Sequence, residues 1–95
     1  MNISEMLEVN KMYVIGRLAE FAGAYGIDLT YHTDPISGLI VEMTRKWRGY
    51  RYAISRETLI VTVNLDMIID SIIENAKLYL RINMIIILKI MGVIK

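Results

Sequence analysis

Ninety-five residues, 55% of them hydrophobic and 22% charged, make one folding domain and exclude a disordered chain. The absence of cysteine excludes disulfides, thiolate catalysis and thiolate metal sites. The net charge of +1 implies no partner by itself, but it is unevenly spread. Residues 1–44 carry two basic and six acidic side chains, residues 45–56 five basic and none acidic, and residues 57–95 four of each.

The first residues, Met1-Asn2-Ile3-Ser4-Glu5, lack the basic flank and apolar core of a signal peptide, so an intracellular, cytoplasmic location is expected. Residues 3–25 then read as an amphipathic helix. Ile3, Leu7, Val14, Leu18, Phe21 and Tyr25 fall near one stripe at helical spacing, with Glu5, Glu8, Lys11, Arg17 and Glu20 away from it. Asn2 suits the N-cap, with Glu5 three residues on as in a capping box, and Gly26 suits a left-handed C-terminal cap. Gly16 and Gly23 each weaken the helix by about 1 kcal/mol relative to alanine, which points to close packing against a neighbour.

Residues 27–33 alternate, Ile27, Leu29 and Tyr31 against Asp28, Thr30 and His32, as a half-buried strand does. Asp34-Pro35-Ile36-Ser37-Gly38 has strong turn chemistry. Residues 39–47 form the next strand, with Leu39, Val41 and Met43 on one face and Glu42, Thr44 and Lys46 on the other. Arg48-Gly49 is the expected tight turn, and residues 50–55 return with Tyr50, Tyr52 and Ile54 on one face. Residues 56–63 are open between an extended third strand, a short extra strand and a crossing under the sheet. Asn64 then caps a second helix with Leu65, Ile68, Ile69, Ile72, Ile73, Ala76, Tyr79 and Leu80 as its apolar stripe.

Residues 82–95 break the amphipathic pattern. Ile85 and Leu88 land on the polar face of a continued helix, so the segment is either a helix covered on all sides or a buried strand. It is too short, and too interrupted by Arg81, Asn83 and Lys89, for a span of about 20 apolar residues, and no transmembrane segment is expected. The expected architecture is therefore α+β, in the order α-β-β-β-α. It is a three-stranded antiparallel meander with two helices on one face, residues 1–81 forming the domain and 82–95 an apolar C-terminal extension.

That order is similar to the double-stranded-RNA-binding domain. Such domains place basic residues at the start of the second helix, where this chain has Asn64-Leu65-Asp66, so no site residue carries over. The short helix, the Asp-Pro-x-x-Gly hairpin and the basic third strand, over residues 3–80, resemble small uncharacterised phage and prophage proteins. This resemblance implies no activity.

Two places carry functional expectations. Arg45, Lys46, Trp47, Arg48, Tyr50 and Arg51 crowd the second hairpin, a pattern that fits nucleic-acid or protein binding: bases stack on exposed aromatics and phosphates pair with flanking cations. With an Arg48-Gly49 turn, Trp47 opposes Tyr50 and Lys46 opposes Arg51, a like-charge pair relieved by a bound anion. Solvated, aggregation-blocking charge on an edge is the alternative. Ile85, Ile86, Leu88 and Met91 form the expected self-association surface, a dimer being favoured, since burying each such side chain is worth roughly 1.5–3 kcal/mol; completion of the monomer's own core is the alternative, and peripheral membrane attachment ranks third because the polar face is only weakly basic. His32 is the single histidine and reads as a surface residue, and no carboxylate spacing suits a metal. Neither a cofactor nor an enzymatic activity is expected. The reading is a small binding or accessory module, with nucleic-acid binding and pure structural assembly as the alternatives.

Overall fold

The computed structural model describes residues 2–61 and 64–82. The order is α1 (Ile3–Tyr25), β1 (Asp28–Asp34), β2 (Gly38–Arg45), β3 (Arg48–Ile54), α2 (Arg56–Val61) and α3 (Leu65–Tyr79). The three strands form one antiparallel meander in the order β1-β2-β3, and the helices cover one face of it. The expected α+β architecture stands, with one helix more than expected. Residues 83–95, which include Ile85, Ile86, Leu88 and Met91, lie outside the described residues.

Local chemistry sets the ends of α1. The Asn2 side chain accepts from the Glu5 amide at 2.8 Å and donates to the Glu5 carboxylate at 3.2 Å, satisfying one orphan amide and closing the capping box. Gly26 takes φ 65° at the other end, and the Ile27 amide returns to the Ala22 carbonyl at 2.9 Å. Lys11 departs from expectation. It is only 8% exposed, its stem lies among the buried residues of α1, and its ammonium sits 3.5 Å from Glu8.

The core gathers Val14, Leu18 and Phe21 from α1, Leu39, Val41 and Met43 from β2, and Ile54 from β3. Leu59 joins it from α2, Ile69 and Ile72 from α3, and Leu80 from the C-cap of α3. β1 is an edge strand and more exposed than a half-buried strand would be; Tyr31 stands open and Leu29 is only partly buried.

α2 settles the ambiguous stretch as far as Val61; residues 62 and 63 lie outside the described residues. The Ser55 hydroxyl accepts from the Thr58 amide at 3.1 Å, which starts a helix rather than prolonging β3. Asn10 of α1 donates its side-chain amide to the Leu59 carbonyl, and Leu59 is fully buried.

α1 and α3 run parallel. Tyr13 and Arg17 meet Asp66, Arg17 reaches Asp70 at 3.2 Å, and Tyr25 lies 5.9 Å beneath the Lys77 ammonium. The bonded Tyr13 oxygen is the largest influence raising the Arg17 pKa; partial burial opposes it, and Asp66 and Asp70 add to it. Parallel packing puts the C-terminal ends of α1 and α3 at one end of the sheet. The β2–β3 turn lies at that same end. Among the described residues no helix is long and apolar enough to cross a membrane.

Candidate binding surface at the hairpin end

The β2–β3 turn is Lys46-Trp47, not Arg48-Gly49. Arg45 opposes Arg48, Thr44 opposes Gly49, Met43 opposes Tyr50 and Glu42 opposes Arg51. Lys46 takes φ 60° and Trp47 does not take a positive φ, the signature of a type II′ turn. Such turns match the twist of the flanking strands, and here a lysine occupies the position where glycine is usual. Gly49 lies inside β3 instead.

This register separates the six residues expected to act together. Partners across a ladder share a face, so Arg45, Arg48 and Tyr50 lie on the helix side with Met43, while Arg51 lies on the open side with Glu42 and Thr44. Arg51 does not face Lys46. Its Nε sits 3.6 Å from the Glu42 carboxylate, and the expected like-charge clash is replaced by an attraction. Tyr50 does not stand beside Trp47. Its ring stacks on Tyr79 at 5.1 Å between centroids and 25° between planes, with Tyr52, two residues along β3, 6.4 Å away. Burial pushes the Tyr50 hydroxyl pKa up, opposed by a hydrogen bond with Asn75.

What remains at the tip is compact. Trp47 is 80% exposed, and the Arg48 guanidinium lies 4.2 Å from its ring centroid, a cation–π contact. Arg45, Lys46 and Arg48 make no ion pair among the described residues, and neither does Arg81 just beyond α3. Tyr79 was expected in the apolar stripe of the helix; it is 63% exposed, and its neighbour Leu78 is 65% exposed. These two, with Arg81, belong to the hairpin end but sit some thirty residues away in sequence. The one local hint was the wheel position of Tyr79 at the edge of the stripe.

On the open face, beside Gly49, lies a shallow depression of about 310 Å³ walled by Glu42, Thr44 and Arg51. His32 is exposed on β1 opposite Ile40. Asp34, two residues on, uses its carboxylate to accept from the amides of Ile36 and Ser37 at 2.7 and 3.0 Å, which lowers its pKa. Among the described residues no three histidine or carboxylate side chains gather as metal ligands.

No protein-family model, no curated protein and no solved structure matches the chain.

Proposed function

We propose that the protein is a small non-enzymatic binding and accessory module that self-associates through residues 82–95. The observation that carries this reading is the exposure of Leu78 and Tyr79 on the last turn of α3. They stand where the chain leads into Met84–Ile94, in which nine of eleven residues are apolar. Exposed apolar surface continuous with an apolar segment marks an interaction site rather than a solvated end. The engagement of Asp34 within its own turn, away from catalytic work, supports the non-enzymatic part of the reading.

Sedimentation velocity across a concentration series tests it. The expected result is a dimer for the native chain and a monomer for Ile86→Asp, because a buried, unpaired carboxylate costs more than the contact returns. A native chain that sediments as a monomer at every concentration would sink the proposal.

Nucleic-acid binding is the second reading, and the exposure of Trp47 beside Arg45, Lys46 and Arg48 favours it. It predicts saturable quenching of Trp47 by short DNA or RNA that weakens steeply with salt. Against it, Tyr50 is engaged with Tyr79 and Arg51 with Glu42, which leaves a single aromatic for stacking.

A further inference from the structure

The hairpin end is electrically and chemically unlike the rest of the molecule. Arg45, Lys46, Arg48 and Arg81 gather there without a carboxylate partner among the described residues. Asp28, opposite Thr44, also lies at this end but pairs with none of them, and Glu74 pairs with Lys77, so the basic side chains stay in excess; Glu5, Glu8, Asp34 and Glu57 lie toward the opposite end, at the starts of α1 and α2 and at the β1–β2 turn. At the same end as the cations, Trp47, Tyr79 and Leu78 stand in solvent, each at least 63% exposed. We infer that this end docks on the surface of an anionic lipid bilayer, with Trp47, Tyr79 and Leu78 entering the interfacial layer and Lys46, Arg48 and Arg81 meeting the headgroups.

Three observations select a bilayer over other polyanions. Trp and Tyr carry an apolar body with a polar edge, which suits the headgroup layer, and flanking Lys and Arg add attraction to an anionic leaflet. An exposed Leu78 gains nothing from a phosphate backbone but gains from an apolar phase. The stacking surface for bases is reduced to one ring, because Tyr50 lies against Tyr79 and Arg48 already lies over the ring of Trp47. The contact is superficial: the site consists of a turn and the last residues of a helix, and none of the described helices spans a membrane. It goes beyond self-association, and because both readings use Leu78 and Tyr79, a bilayer and a second copy of the chain compete for them.

The only tryptophan of the chain sits in the site and reports on it. Full-length protein would be titrated with vesicles of phosphatidylcholine alone, and with vesicles in which phosphatidylglycerol makes up about a third of the lipid, a strongly anionic surface. The expected result is a saturable blue shift of Trp47 emission on the anionic vesicles only, weakened by salt. Each basic side chain near such a surface contributes about fivefold to partitioning, so Lys46→Glu with Arg48→Glu should lower it by more than about twentyfold. Leu78→Asn keeps every charge and removes apolar contact; it should lower partitioning several-fold and serves if the double variant fails to fold. Equal binding to both vesicle types, no shift on either, or unchanged partitioning of the folded variants would overturn the inference. So would a response to single-stranded DNA or RNA without one to vesicles, which assigns the end to nucleic acid.

Discussion

Gly38→Ala should destabilise the domain by roughly 2–5 kcal/mol, a large part of what a chain this size has in reserve. Two independent causes add. Gly38 has φ 76°, in the left-handed region where an L-residue with a Cβ costs roughly 1–2 kcal/mol. A Cβ there would also lie 2.7 Å from both the Ile54 carbonyl oxygen and the Arg56 amide nitrogen. Both are backbone atoms at the β3–α2 junction, so no flexible side chain can swing aside. Relief requires that junction to move, and Leu39, Ile54 and Leu59 around it are all in the core. The other glycines supply the controls. Gly26 has φ 65° but open space around its Cβ position, so alanine there should cost only about 1 kcal/mol. The close packing expected at Gly16 and Gly23 is not found: nothing lies within 4 Å of either Cβ position, and alanine at either should stabilise the chain by about 1 kcal/mol through helix propensity. Urea unfolding followed by far-UV circular dichroism reads all four; Trp47, being exposed already, would report poorly. A Gly38→Ala midpoint equal to that of Gly26→Ala would show that the β3–α2 junction does not press on β2.

The same contrast between local and distant causes explains what could be read from the residues alone. The α1 caps and the Asp34-Pro35 turn are legible because their bonds join residues within five of one another. Lys11 was misread: it lies four residues after Leu7 and seven before Leu18, on the buried stripe, but its charge set it with the polar face. The β2–β3 register was not legible either. Gly49 drew the turn toward itself, but a turn at Lys46-Trp47 pairs β2 from Leu39 to Arg45 against β3 and brings Arg51 to Glu42. The two registers differ by four residues in pairing, an even number, so the faces were read correctly while the pairs were not. The functional end was half legible for the same reason. Its charge is contiguous in sequence, whereas Leu78, Tyr79 and Arg81 reach it only because α3 runs parallel to α1.

The helix α2 offers the sharpest check on that account. Leu59-Ile60-Val61 has two β-branched residues of three and suits a strand at least as well as a helix. A strand would bury Leu59 and Val61 together, on the same face. A helix turns Val61 away, and it is 71% exposed while Leu59 is fully buried. Leu59→Ala should therefore cost about 2–5 kcal/mol, since the cavity opens among Leu39, Ile54 and their neighbours, which are already close-packed. Val61→Ala should change stability by less than about 0.5 kcal/mol. Asn10→Ala joins the comparison from α1: it would leave the Leu59 carbonyl without its donor and cost about 1–2 kcal/mol, which no strand extension of β3 explains. Comparable losses from Leu59→Ala and Val61→Ala would reject the helix. Loss at Leu59 and Asn10 with none at Val61 would place the stability of this junction in a contact between the first helix and the fifth element, across forty-nine residues of chain.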